Sequence, residues 1–117
     1  MKYEAFDAWV RTLPGVEMDI KWGADRTYCI GAKVFVFAGG LGDDNPRLMF
    51  KASDLAFEML VESGVGAPAP YLGRAKWVVM TGPDSLSDAE IKAYVAQSHA
   101  LIASKLTKKR RTELGIG

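Results

Sequence analysis

One cysteine and one histidine in 117 residues leave this chain short of the side chains from which most catalytic and metal chemistry is built. Cys29 by itself forms no intramolecular disulfide, which fits a reducing compartment. Together with His99 it offers two ligands where a structural zinc tetrahedron needs four. A Ser or Cys nucleophile usually recruits a histidine as base, and His99 falls in a helical pattern with no strand-turn-helix nucleophile elbow in the chain, which argues against a hydrolase triad. The Asp43-Asp44 pair lacks the regular oxygen spacing of a calcium loop. The glycines at 39, 40 and 42 are not followed by Gly-Lys-Ser/Thr and lead into a strand, so they read as a hairpin turn and not as a phosphate loop. No run approaches the ~20 apolar residues of a membrane span. Glu4 and Asp7 interrupt what a signal peptide would need as an apolar stretch, so the expected compartment is the cytoplasm. Charge of one sign is missing too: 15 Lys+Arg against 14 Asp+Glu leave a net +1, and any attraction to phosphates must come from local clustering. The expectation is a non-enzymatic protein with no cofactor and no metal.

What is present is apolar mass. The chain is 49% hydrophobic and 25% charged, enough to offset ordering entropy in one domain of this length, taken as residues 1–117. Phe6, Trp9, Val10 and Leu13 recur at spacings of three and four and predict an amphipathic helix ended by Pro14-Gly15. VEMDIKW then alternates apolar and polar residues with the period of a half-buried strand. After a turn at Gly23-Ala24-Asp25, RTYCI and KVFVFAG read as a hairpin whose second strand, apolar on both faces, is central. A turn-rich loop from Gly39 to Pro46 precedes the strand RLMFK. Ser53-Asp54 caps a short helix with Leu55, Met59 and Leu60 as its expected core face. The segment Gly64 to Arg74 has too much Gly and Pro for a regular element, and KWVVM supplies a fifth strand. Ser87 and Glu90 form a capping box for a long helix with Ile91, Tyr94, Val95, Ser98 and Ile102 on one face. From residue 107 to 117 the apolar stripe is lost and a flexible basic tail is expected. The pattern defines an α+β protein: an N-terminal helix, a mainly antiparallel sheet of about five strands, and helices on one face.

The remaining signal is cations set beside aromatics. Lys33 precedes Val34-Phe35, Lys51 follows Phe50, and Arg74 and Lys76 lie between Tyr71 and Trp77; Lys108, Lys109, Arg110 and Arg111 add a run of four. Such interleaving serves phosphate neutralisation with base stacking. It also arises at ordinary strand ends, where long cationic side chains snorkel past buried rings.

Taken in order, Gly31-x-Lys33-x-Phe35, Phe50-Lys51, Ala67-Pro68 with Tyr71, Lys76-Trp77-Val78, and Ser98-x-x-Leu101 with Lys105 resemble the MmcQ/YjbR-like family of small bacterial proteins over nearly the whole chain. The resemblance implies a CyaY-like or secretion-chaperone-like fold in the order α-β(4)-α-β-α. It also implies DNA binding through a double-wing arrangement, which places interest on Lys33, Lys51, Arg74, Lys76 and Trp77. The chain departs from the family pattern at His99, where Tyr tends to follow the Ser, and in the acidic Asp43-Asp44 loop, a poor wing to press against phosphates. Iron binding of the frataxin kind is disfavoured, because Glu4, Asp7, Glu17 and Asp19 make a thin acidic ridge. Three readings follow: DNA as partner, through the cationic and aromatic residues; another protein as partner, with the chain as a chaperone-like adaptor using its apolar sheet face or the Tyr71–Trp77 region; or a small-ligand pocket near Tyr71, Trp77 and Lys51.

Overall fold

The computed structural model describes residues 1–21, 25–39, 47–70 and 72–116. The turn at Gly23-Ala24, most of the Gly39–Pro46 loop with Asp43 and Asp44, and Tyr71 lie outside the described residues. The chain begins with α1 (Tyr3–Val10), then β1 (Val16–Lys21), β2 (Asp25–Ile30), β3 (Lys33–Ala38) and β4 (Leu48–Lys51). There follow α2 (Asp54–Glu62), β5 (Gly66–Pro68), a 3₁₀ turn at Gly73–Ala75, β6 (Trp77–Met80), α3 (Asp88–Ala103) and α4 (Lys108–Glu113). The six strands form one sheet in the order β1-β2-β3-β4-β6-β5, and every pairing is antiparallel. This is the expected α+β architecture with one strand more than the sequence pattern predicts.

The additional strand is β5, in the segment whose Gly and Pro content predicts irregular backbone. It pairs Gly66 with Met80 and Pro68 with Val78 at the edge of the sheet, one of the few places where a strand tolerates proline. A Cβ on Gly66 would stand 2.6 Å from Val78 Cγ1 and 3.2 Å from Leu60 Cβ, so the glycine admits the strand beneath α2. Glycine and proline here mark a close approach and an edge, not a loop.

The apolar run of β3 has a specific cause. Tyr28 pairs with Val36 but Cys29 pairs with Val34, leaving Phe35 as an extra residue in a β-bulge. The bulge turns Phe35 and Val36 to the same side. Phe35 lies edge-on to the His99 ring of α3 at 5.4 Å. Val36 is opposite Phe50, whose ring stacks on Tyr94 of α3 at 6.0 Å. Both residues are fully buried, and with Tyr28, Ile30, Val78, Ile91 and Val95 they make the core between sheet and helices. The capping box of α3 is closed, with Glu90 N donating to Ser87 Oγ at 3.2 Å and Ser87 N to Glu90 Oε1 at 2.9 Å, which satisfies two backbone donors that the helix start would otherwise leave unpaired.

Two expectations are corrected. Helix α2 buries Ala56 and Leu60, whereas Leu55 and Met59 stand 68% and 54% exposed; the helix is rotated so that its small Ala56 fits against the sheet. The tail does not lack structure: Thr107 Oγ1 accepts from Arg110 N and caps α4. Beyond it Leu114 and Ile116 pack on the core. Gly31, at a φ of 56°, gives the space, since a Cβ there would lie 3.2 Å from Leu106 and 3.4 Å from Leu114. Two apolar residues behind four cations are enough to dock a short helix when a glycine turn leaves a socket for them.

Helix α1 is tied to the sheet by a polar network as well as by Phe6 and Val10. Tyr28 donates to Asp7 Oδ1 at 2.7 Å, the Tyr3 and Tyr28 hydroxyls are 2.7 Å apart, and Arg11 Nε reaches both Asp7 oxygens at 2.9 and 3.0 Å. Burial opposes ionisation of Asp7, but the hydrogen bonds from Tyr28, Arg11 and Tyr3 outweigh it and hold the carboxyl below its ordinary range. Burial likewise pushes the Tyr28 hydroxyl upward, so Tyr28 remains a donor. A depressed folded-state value means that Asp7 contributes stability above its unfolded pKa, near ~3.9, and loses it as pH falls through the lower folded value. Asp7→Asn is therefore expected to lower Tm at pH 7 and to flatten the decline of Tm below about pH 4, measured by thermal melts across an acid series.

Candidate functional site

The sheet register decides where the cations go. Lys33 opens β3 just after the β2–β3 turn, opposite Ile30. Lys51 closes β4 opposite Trp77, the first residue of β6, and Lys76 immediately precedes it. Because β3 and β6 begin where β4 ends, all three lysines emerge at the same end of the sheet. Helix α3 runs toward that end: Ser98 Oγ donates to the Lys51 carbonyl, and Lys105 follows in the turn just beyond the helix end at Ala103. Leu106 and Leu114 both touch the β2–β3 turn at Gly31, so α4, with exposed Lys108, Lys109 and Arg110, sits beside that end too.

The tightest part of the cluster is around Lys51. Its ammonium donates to the Ala75 carbonyl, which draws it to the 3₁₀ turn that carries the exposed Arg74. Lys76 has a left-handed backbone, φ 63°, and extends its Nζ over the Phe57 ring at 4.8 Å, a cation–π contact worth about 0.5–1 kcal/mol at exposed sites. Lys51 and Lys105 line one cleft of about 390 Å³ with Ser53, Asp54 and Ser104. Burial pushes the Lys51 ammonium down, the charges of Lys105 and Lys76 push it further, and Asp54 only partly offsets them. Lys51 thus feels two other ammonium groups, those of Lys105 and Lys76, against one carboxylate, that of Asp54.

Trp77 is placed differently from the sequence expectation. It is 8% exposed and packs on Phe37 at 5.6 Å, so its ring is not offered to a base. Arg111 is also set apart from the run it belongs to: it is half-buried and lines a second cleft with His99. His99 itself is buried, its Nε2 2.8 Å from the Pro14 carbonyl. The cleft at Lys51 is not shared with Trp77, and Tyr71 lies outside the described residues. Sequence reasoning misses Lys105, Ser53 and Ser104 as site residues. The signal that exists for Lys105 is its place in the Ser98-x-x-Leu101 and Lys105 motif, just beyond the end of α3.

Among the described residues no three His, Cys, Asp or Glu side chains gather as metal ligands, and no helix is long and apolar enough to cross a membrane.

These features define an α+β protein with an antiparallel sheet, helices on one face and a cationic sheet end. The chain belongs to the YjbR family, whose family model matches residues 11–101. No curated protein matches it.

Proposed function

We propose that this protein is a non-enzymatic binding module for the phosphate backbone of DNA, engaged by Lys33, Lys51, Arg74, Lys76 and Lys105, with Lys108, Lys109 and Arg110 at the margin. The observation that carries the reading is the convergence of Lys51, Lys76 and Lys105, like charges that repel in the isolated protein and would be neutralised by phosphates. A net charge of only +1 makes that concentration at one end a feature of the fold, not of bulk composition. The burial of Trp77 removes the aromatic platform that base stacking requires, so the binding expected is to the backbone, with little sequence preference.

Fluorescence anisotropy of a labelled DNA duplex, titrated with the protein at a series of salt concentrations, tests this. Affinity is expected to fall steeply with salt, with a slope of log K on log salt of about −3 to −5 for four to five neutralised phosphates, and to differ little between unrelated sequences. No binding at the lowest salt would remove the proposal.

The adaptor reading rests on a separate observation, the exposure of Leu55 and Met59 on adjacent turns of α2. A protein that co-purifies with the wild-type chain and is lost from a Leu55→Ser, Met59→Ser variant would favour it instead.

A further inference from the structure

A second cleft lies between the last turns of α3, α4 and the Pro14 turn, with a volume of about 410 Å³ and walls that include Pro14, His99, Ala103, Ser104, Arg111 and Ile116. Its size is within the range of small-molecule sites. Arg111 and its neighbour differ sharply in how they are satisfied. Arg110 is paired with Glu113 at 3.3 Å. The Arg111 Nε is buried and, among the described residues, has no hydrogen-bond partner. A guanidinium does not deprotonate to escape such a position, and buried unpaired donors are rare in native proteins. The other polar groups on the walls are already engaged: His99 Nε2 with the Pro14 carbonyl, and the Ser104 hydroxyl with the Leu101 carbonyl at 2.7 Å.

We infer that this cleft is a binding site for a small monocarboxylate with an apolar body, its carboxylate held by the Arg111 guanidinium. Planar carboxylates match the guanidinium fork. Among the described residues lining the cleft, Arg111 is the one cationic side chain and none is acidic, so a single negative charge balances the site. Pro14, Ala100, Ala103 and Ile116 provide apolar wall for the rest of the ligand. The site meets the Lys51 cleft only at Ser104, the residue that ends α3 and lines both, and the inference does not depend on DNA binding.

Sodium hexanoate, 1-hexanol and inorganic phosphate are the probes, read by thermal shift and by amide chemical shifts at Ala100, Ala103 and Ile116. Hexanoate is expected to raise Tm saturably, with an affinity in roughly the millimolar range or tighter. Hexanol and phosphate should each bind at least about tenfold more weakly, because one lacks the charge and the other lacks the apolar body and carries excess charge. Arg111→Met keeps an unbranched stem without the charge and without the unpaired buried Nε. It should leave the ligand-free Tm equal to or above wild type and weaken hexanoate about tenfold or more. Ala103→Leu, which fills the cleft without touching the charge, should block hexanoate as well. The inference is overturned if hexanoate gives no saturable shift in the wild type, if hexanol or phosphate matches it, or if Ala103→Leu binds it normally. An Arg111→Met protein that still binds hexanoate as wild type does, or whose ligand-free Tm drops, would assign Arg111 a structural role instead.

Discussion

Replacing Lys51, Lys76 and Lys105 together by glutamine is expected to weaken DNA binding by about 100-fold at roughly 50 mM salt, and to reduce the slope of log K on log salt by about 2.7, or ~0.9 for each phosphate no longer neutralised. Glutamine is the informative substitution because its amide can still donate to the Ala75 carbonyl that Lys51 now reaches, so charge is removed while local geometry is kept. Folding should not suffer much. Lys51 is held against the repulsion of Lys105 and Lys76 after a desolvation cost, and the cation–π contact of Lys76 with Phe57 is the main favourable interaction given up. A variant with a wild-type Tm and wild-type affinity would show that the convergence of the three lysines has nothing to do with phosphate recognition. Neutralising Lys108 and Lys109 alone should have a smaller effect, since they are exposed on a short helix at the margin of the cluster.

The second large effect is on stability. Phe35→Ala is expected to cost about 3–5 kcal/mol, the usual range for emptying a fully buried phenylalanine site, and to lower Tm by roughly 10–20 °C. Phe35 is 0% exposed, stands in the bulge between Cys29 and Tyr28 of the neighbouring strand, and packs edge-on against His99. Its loss would open a cavity between β3 and α3 and remove the ring against which His99 is braced. Phe37→Ala is the control: Phe37 is half-buried on the other face of the same strand, and its truncation should cost roughly half as much. Chemical denaturation of both variants gives the comparison. Equal losses would contradict the bulge geometry, in which Phe35 and Val36 share the helix side while Phe37 does not.

Much of the architecture is legible in the chain. The spacing of Phe6 and Val10, the alternation of VEMDIK and the Ser87–Glu90 box are local patterns, written within a few residues of where they act, and each element they announce is present. The departures have a common origin. Gly66 reads as a breaker, yet it is the small residue that lets an edge strand approach Val78 and Leu60. Leu55 and Met59 read as a core face because they are apolar, yet Ala56 and Leu60 are the ones that fit. Residues 107–117 read as a flexible tail because their cations dominate the composition, yet Leu114 and Ile116 have a docking place made by a turn some eighty residues earlier. In each case hydrophobicity describes the residue and packing partners decide its place.

The sequence by itself determined the α+β class, the order of most elements and the family, because hydrophobic period and capping chemistry are short-range properties that the chain carries whether or not it is folded. Only the tertiary structure decided which cations form a site. Lys51, Lys76 and Lys105 are separated in the chain and gather because strand register and the direction of α3 bring them to one end of the sheet, the end at which Lys33 also emerges, where a one-residue slip would send a strand's side chains to the opposite face. Electrostatics acts through space, and Arg111, adjacent to Arg110 in sequence, faces a different cleft and a different chemistry for the same reason.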